Sequence, residues 1–507
     1  MLKGFLLGVD IGTQGTKASL IALDKGIVSE AFTPSKLIRL PQNAVQEDPE
    51  DIYYSVLKTI KEAVLKAGID PYRIHSIGID GQMAGILGID YNWNAITYYD
   101  SWLDTRCGKY IEEIKEKADE AVTSITGCPV TYAHGPKILW WKNEQPGVYK
   151  KIDKFIVPSC YVAGRLTGLK AENAFIDYTH LHFSGFADVE KQKWSEELLY
   201  AFNVDRGKMP QIVEPWKVIG KLTQNAANEC GLISGTPVVA GCGDSAATSL
   251  GAGITESGLV FDVAGTASIF SCSVDKYKPD LKTKTLLYAK SVIPDLWTPM
   301  AYIGGGGMCL KWFKDNFTGD DGNISYSKLD NEAGRILPGS EGLVFLPYLS
   351  GRTCPNDPYI RGSWLGLNWA HGRGHMYRSI MESIAYEYKY YTNVLSELLG
   401  KINIKQVVAV GGGAKSSVFN SIKADVLGVK YSILSSRDTA TLGSALIAGF
   451  GVNAFSNIKK AADSYAITID TIEPNMDNHR LYKKHSESYE YFVKTLGSAY
   501  KHLETKH

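Results

Sequence analysis

Residues 6–24, LLGVDIGTQGTKASLIALD, set two apolar runs on either side of a polar turn rich in Gly and Thr. Runs of this length bounded by turn residues read as β-strands, so residues 5–33 are predicted as two strands joined at that turn. A helix is predicted over about 49–67, opening on the acidic EDPED, because acidic residues and Pro favour a helix start. HSIGIDGQMAGILGID (75–90) reads as two short strands around a second Gly turn, and helical stretches dominate between about 109 and 232. PVVAGCGDSAATSLGAG (237–253) gives a buried strand, a Gly/Asp turn and the start of a small-residue helix. The pattern then begins again: GLVFDVAGTASIFSCSVD (258–275) repeats apolar strand, Asp, Gly-Thr and second strand. Two such units in one chain predict a duplicated architecture in which each half supplies a turn to a shared cleft. AYIGGGGMCLKWFKD (301–315) enters an amphipathic helix, VVAVGGGAKSSVFNSIKADVLGV (407–429) is strand, Gly turn and helix, and the Lys-rich tail beyond about 455 reads as helical.

Length turns this pattern into domains. At 507 residues the chain exceeds the roughly 250–300 residues that one hydrophobic core serves, so two large domains are predicted, residues 1–253 and 254–507 with C-terminal helices. Lys plus Arg and Asp plus Glu both count 54, which gives no electrostatic drive toward nucleic acid or an anionic membrane and favours a small ligand. The eight cysteines lack CxxC spacing and read as buried thiols in a reducing cytoplasm. A strand-like N-terminus without a leader pattern, and no apolar run near the ~20 residues needed to span a bilayer, predict a soluble intracellular protein. The 29 Tyr and 10 Trp would suit sugar-stacking platforms, but aromatics mostly fill cores.

Successive backbone N–H groups in a Gly turn make an anion-binding concavity, and a helix N-terminus adds partial positive charge. Four such turns suggest a polyphosphate ligand, and Asp10, Thr13, Gln14, Thr16 and Lys17 load the first with metal-facing and phosphate-facing groups. The run at 304–307 reads equally as an ordinary turn. No turn matches GxxxxGK[ST], and GGGAKS lacks GxGxxG spacing, so neither a P-loop nor a dinucleotide fold is indicated. Asp244 in GCGDSAA follows an apolar strand and precedes a helix; a carboxylate there serves as general base toward an alcohol, or caps the helix.

DIGTQGTK around Asp10, SWLDTRC with Trp102, Asp104 and Arg106, GCGDSAA with Asp244, DVAGT with Gly265 and Thr266, and GGGA at 411–414 together resemble the FGGY carbohydrate kinases. GSWLGLNWAHGRGHMYRSIMESIAYE (362–387) and YAHGPKILWWKNE (132–144) look like the two signatures of that family. The resemblance implies an α/β fold of two duplicated ribonuclease-H-like domains, of the actin, Hsp70 and hexokinase type, with a central ligand cleft. It implies that the first domain binds sugar and carries the catalytic base, Asp244, and that the second binds nucleotide. It implies ATP and Mg2+ as cofactors, with Asp10 at the metal, Thr13, Gln14 and Lys17 by the ATP phosphates, and Gly265, Thr266, Gly307, Gly412, Gly413, Ala414 and Asn420 lining the nucleotide site. Asp438 stands where the family usually has Glu.

GQM at 81–83, WLDTR at 102–106 and PYLSGRTCPNDPYIRG at 347–362 look most like the family members that phosphorylate D-xylulose at its terminal hydroxyl. On that resemblance Gln82, Met83, Ala84, Trp102, Asp104, Arg106, His134 and Asp244 contact the sugar. The family's usual GQMHG is GQMAG here, and Ala84 cannot supply a side-chain hydrogen bond. His134 or His180 would replace that contact, or both are structural histidines. Another ketopentose, a polyol or an aldonate remains an alternative substrate. A non-catalytic sugar sensor on this fold, or an actin-like ATPase with protein partners, are rivals that the pairing of Asp10 with Asp244 and the GQM and WLDTR segments count against. The expected partners are a small-molecule sugar and ATP, with no nucleic acid and no membrane, and the resemblance allows a homodimer.

Overall fold

The computed structural model describes residues 4–265, 267–317, 324–436 and 438–504, except the side chains of the last two. It divides into two compact units. Unit 1 comprises residues up to Thr255 with Tyr288–Trp297 and Asp438–Ala466; unit 2 comprises Glu256–Leu287, Thr298–Arg437 and the chain from Ile467. The division falls close to residue 253, but two later segments fold with unit 1.

Unit 1 is built on β1 (Phe5–Gly12), β2 (Gly15–Ala22), β3 (Gly26–Pro34), β4 (Ile74–Gly81), β5 (Val218–Lys221), β6 (Pro237–Val239) and β7 (Cys242–Gly243). The sheet order is β5-β6-β4-β1-β2-β3, with β7 also pairing with β4. Strands β1, β2 and β3 form an antiparallel meander, whereas β1, β4 and β6 are parallel. Parallel strands need crossover connections, and α1 (Pro49–Ala67) lies in the first of them. Its ends follow the sequence: Asp48 accepts from the Glu50 N–H, Pro49 opens the helix, and Gly68 closes it at φ 61°. Later in the unit, α2 (His134–Glu144) and α3 (Asp244–Gly251) carry candidate site residues.

Unit 2 repeats the arrangement with β8 (Leu259–Ala264), β9 (Ser268–Cys272), β10 (Trp297–Ile303), β11 (Gln406–Val410), β12 (Tyr431–Leu434) and β13 (Thr468–Ile472), in the order β10-β9-β8-β11-β12-β13. Again an antiparallel meander, β8 to β10, continues into parallel β11 and β12. This shared order and strand sense is the duplication expected from the repeated strand–Asp–Gly–Thr pattern. Helices α4 (Gly306–Phe317), α5 (Arg373–Leu399), α6 (Ser417–Leu427) and α7 (Met476–Glu504) complete the unit.

The helix Thr439–Gly451 returns to unit 1 and lies against β1 and β4. It does so through glycine. A Cβ on Gly8 would overlap the Thr441 carbonyl oxygen, one on Gly78 the Ser444 carbonyl, and one on Gly443 the Ala247 carbonyl of α3. Leu442, Ala445, Leu446, Ile447 and Ala448 are buried with Leu6, Val239 and Leu250 in one apolar core.

Two expectations about secondary structure change. The tail is not uniformly helical, because Thr468–Ile472 pairs with β12 as an edge strand. The stretch 109–232 holds several strands of two to four residues among its helices, such as Phe175–Asp177 and Gln211–Val213, which are too short to show a period of two. All eight cysteines are buried, and none of them forms a disulfide. No helix among the described residues is long and apolar enough to cross a membrane.

Candidate active site

Strand register assembles the first half of the site, within unit 1. Asp10 stands opposite Lys17 on β2 and opposite Asp80 on β4, and Cys242 stands opposite Asp80 on its other side. Asp244 follows two residues later, so three carboxyl groups from distant parts of the sequence meet at the ends of three adjacent strands. Lys17 Nζ lies 3.6 Å from Asp10 and 3.3 Å from Asp438. Asp438 also caps the helix it begins, accepting from the Thr441 N–H at 3.2 Å.

Their electrostatics follow from crowding. Burial, reinforced by the charges of Asp438 and Asp244, pushes Asp10 up to about 6 although Lys17 pulls the other way. Burial and the neighbouring charge of Asp10 push Asp80 well above the usual carboxylate range. The Ser444 hydroxyl donates to Asp80 at 2.5 Å. Burial also raises Asp244, offset by the Ser245 N–H at 2.6 Å, the Ser245 hydroxyl at 3.2 Å and the charge of His180. Gly243 is the N-cap residue and Asp244 the first residue of α3, so Asp244 is not the cap that its sequence context equally allowed.

The expected sugar-facing residues lie around this row. The Gln82 N–H donates to the Ile11 carbonyl at 2.9 Å, and its side-chain amide donates to Glu47 at 2.6 Å. The Trp102 indole N–H donates to the Thr13 hydroxyl at 2.8 Å, and Thr13 donates to Gln82 at 3.4 Å. Met83 packs on Gly243, where a Cβ would collide with its thioether. Ala84 adopts φ 63°, a conformation uncommon for residues other than Gly, and its carbonyl accepts from the buried Lys137 ammonium at 3.2 Å. Lys137 also donates to the Tyr132 carbonyl at 2.8 Å, tying α2 to the GQMAG turn. Asp104 accepts from the Val45 N–H at 3.0 Å and pairs with Arg106 at 2.9 Å, while Arg106 reaches Asp100 at 2.6 Å. These two residues hold the WLDTR loop together through one another. Gln14 is exposed at the tip of the first turn.

Burial holds His134 well below the usual imidazole range, helped by the charges of His180, Lys137 and His182. His180 Nδ1 lies 2.6 Å from Asp177.

Four groups here escaped sequence reasoning: Glu47, Asp80, Tyr99 and Asp177. Glu47 is 2% exposed and pushed up to about 7 by burial, with the Gln82 amide the one opposing influence. The Tyr99 hydroxyl is buried without a hydrogen-bond partner among the described residues and sits where a Cβ on Gly85 would strike it. Glu47 had a signal, since it belongs to EDPED, but that run reads as a helix start.

In unit 2 the expected nucleotide residues converge. A Cβ on Gly307, at the start of α4, would overlap the Gly265 carbonyl, and one on Gly413 would collide with the Ala264 side chain. The turns after β10 and β11 therefore each close onto the end of β8 at a glycine. Gly411 opens the GGGA turn at φ 79°, Gly412 and Ala414 follow in a short 3-10 turn, and the Asn420 amide donates to the Ala414 carbonyl at 2.9 Å. The Asn420 carbonyl oxygen is buried without a partner among the described residues. Thr266 lies outside the described residues. Beneath the turns, Asp262 is ion-paired with Lys423 and accepts from the Tyr388 hydroxyl at 2.7 Å, all fully enclosed.

Among the described residues no group of three or more His, Cys, Asp or Glu side chains is placed to hold a metal ion. The chemistry of unit 1 nevertheless fits Mg2+, which takes oxygen ligands and is usually held by one or two carboxylates plus substrate phosphates. Asp10, a nearly enclosed carboxylate raised by burial and further by its acidic neighbours, has the chemistry of such a ligand.

Residues 5–251 match the model of the N-terminal domain of the FGGY family of carbohydrate kinases, and residues 261–452 that of its C-terminal domain. The chain is 27% identical over 481 residues to a xylulose kinase of Bacillus subtilis, covering 94% of each chain. It is 26% identical over 477 residues to a gluconokinase of the same organism, covering 92% of this chain and 91% of the other. The crystal structure of xylulose kinase from Rhodospirillum rubrum superposes with a TM-score of 0.89 at 26% identity, covering 98% of this chain and all of that one. With both domain models matched in order over most of its length, the chain belongs to the FGGY family of carbohydrate kinases.

Proposed function

We propose that the protein phosphorylates D-xylulose at its terminal hydroxyl, with ATP as donor, to give D-xylulose 5-phosphate. The observation that carries the reading is the row of Asp10, Asp80 and Asp244 at adjacent strand ends, with Asp244 raised by burial toward the range useful to a general base. The full-length similarity to xylulose kinases supports the choice of sugar. The gluconokinase of similar identity supports a second reading, in which the acceptor is an aldonate.

In this mechanism Gln82, Met83, Trp102 and His134 contact the acceptor, with Asp104 and Arg106 holding the loop that carries Trp102. Asp244 takes the proton of the attacking hydroxyl as that oxygen bonds to the γ-phosphorus and the bond to the ADP oxygen breaks. Asp10 would hold Mg2+, which supplies charge stabilisation on the transferring phosphoryl group, and Thr13, Gln14 and Lys17 would lie by the phosphates. In unit 2, Gly307, Gly412 and Gly413 would offer backbone N–H groups to the nucleotide, Gly265, whose N–H is bound to the Ala267 carbonyl, and Ala414 would line it, and Asn420 offers a carbonyl without a partner among the described residues; Thr266 belongs to the same set on sequence grounds. Closing water out of such a site protects ATP from hydrolysis. We place the protein in the cytoplasm, with a homodimer compatible with the family.

The test is ADP release with ATP and Mg2+ across ketopentoses, pentitols, hexuloses, glycerol and gluconate. Turnover highest on D-xylulose is expected, and silence on every compound refutes the reaction. Asp244→Asn is expected to bind nucleotide normally while losing turnover by 10²–10⁴-fold; near-normal turnover removes Asp244 as base.

A further inference from the structure

Unit 1 carries three buried imidazoles, of which only His134 has a part in the reaction above. His134, His180 and His182 are 3%, 0% and 1% exposed, and each has a buried Nε2 without a hydrogen-bond partner among the described residues. Leaving such an atom unsatisfied is unfavourable, so three in one neighbourhood point to a ligand that satisfies them.

His180 is the best defined. Asp177 lies 2.6 Å from its Nδ1, and the other Asp177 oxygen accepts from the Thr179 N–H at 2.7 Å and the Thr179 hydroxyl at 2.5 Å. With a carboxylate at Nδ1, the imidazole carries its proton there and presents a bare lone pair at Nε2. The same network reaches the proposed base: the Gly243 N–H donates to the Thr179 hydroxyl at 3.0 Å, and Gly243 precedes Asp244. His180 lies within electrostatic reach of Asp244, which a protonated imidazole there would lower. His182 has the same polarity, since its Nδ1 meets the Thr179 carbonyl at 3.1 Å and its Nε2 is left as an acceptor.

We propose that His180, oriented by Asp177, reads the acceptor substrate by accepting a hydrogen bond at Nε2 from one of its hydroxyls beside Asp244, so that the site requires a hydroxyl at that position. This rests on the reading of unit 1 as the acceptor site. A hydroxyl donates to the lone pair, whereas a carboxylate or carbonyl at that position has only acceptors and would meet it with repulsion. His180 thereby supplies a contact that Ala84 cannot.

The experiment is steady-state kinetics of the full chain with ATP and Mg2+ on D-xylulose, xylitol and D-gluconate, comparing wild type, His180→Ala, His180→Asn and Asp177→Asn. His180→Ala is expected to raise the KM for the neutral substrate about 10- to 100-fold, with kcat and the KM for ATP nearly unchanged. His180→Asn, which keeps an acceptor, is expected to recover part of that loss, and it stands in should the Ala variant fail to fold. Asp177→Asn places an amide donor at Nδ1 and moves the imidazole proton to Nε2. It is expected to raise the KM for the neutral substrate as His180→Ala does, with the KM for ATP nearly unchanged. A purely structural role would instead affect all substrates and the thermal midpoint alike, which overturns the proposal. So does an unchanged KM in His180→Ala. Turnover on xylitol but not D-xylulose, weakened in His180→Ala, supports His180 as reader while refuting D-xylulose as substrate; turnover on D-xylulose indifferent to His180 does the reverse.

Discussion

Replacing Glu47 with Gln is expected to stabilise the protein, and to do so more as pH rises. Glu47 is 2% exposed, and its carboxyl is pushed up to about 7 from the ordinary 4.5. The folded protein therefore binds this proton more tightly than the unfolded chain does. The associated stability is fully present below about 4.5 and is lost as pH rises through about 7. At pH 8.5 the ionised, enclosed carboxylate costs about 3 kcal/mol relative to the unfolded chain, and at pH 5 about 1 kcal/mol. Gln keeps an oxygen to accept from Gln82, as Glu47 does at 2.6 Å, and carries no charge. With an unfolding entropy of ~2.1 cal/mol/K per residue over a cooperative unit of about 300 residues, 3 kcal/mol corresponds to about 5 °C. Differential scanning calorimetry of both proteins between pH 5 and 8.5 should show the gap in thermal midpoint widening from roughly 1–2 °C to about 5 °C. A gap independent of pH refutes the linkage. A variant that becomes less stable than wild type as pH rises refutes its sign.

Two further substitutions probe unit 2. Asp262→Asn leaves Lys423 buried without its counter-charge and is expected to lose about 3–5 kcal/mol by urea denaturation, whereas Asp262→Asn combined with Lys423→Met should recover much of that; additive losses would deny the coupling. Gly307→Ala forces a methyl group onto the Gly265 carbonyl and is expected to raise the KM for ATP about tenfold or more with the sugar KM unchanged, as measured by ADP release.

How far the sequence carries is clearest where the two repeated units are compared. Each announces itself as strand, Asp, Gly-Thr and strand, and each becomes the central meander of a sheet. The helix Pro49–Ala67 is readable to the residue because its cap, its Pro and its terminal Gly are all local. Asp10 and Asp244 are legible as a pair only because parallel strands bring their ends together. The pattern misleads at Asp262, which matches Asp10 in the repeat but is sealed by Lys423, 161 residues away on α6. Glu47 reads as the acidic edge of a helix, but Ala44–Glu47 pairs as a strand with Tyr99–Asp100, and that pairing buries it. His180 looks like one of several histidines until the fold sets Asp177 at its Nδ1 and leaves its Nε2 bare. What escaped the sequence was thus the partner across the fold, set by contacts between distant positions.

The return of helix Thr439–Gly451 to unit 1 also governs how the molecule is made. The strands of that unit are complete by Gly243, yet the helix that lies against Gly8 and Gly78 and brings Ser444 to Asp80 is translated nearly 200 residues later. At ~5–20 residues per second the ribosome takes about 10–40 s to reach it. During that interval β1 and β4 lack their glycine-matched cover, an apolar sheet face is open to water, and the nascent chain is a natural client for chaperones. A fragment ending at Thr255 would be held in that state permanently, so unit 1 is one body in space but not a separable piece of gene.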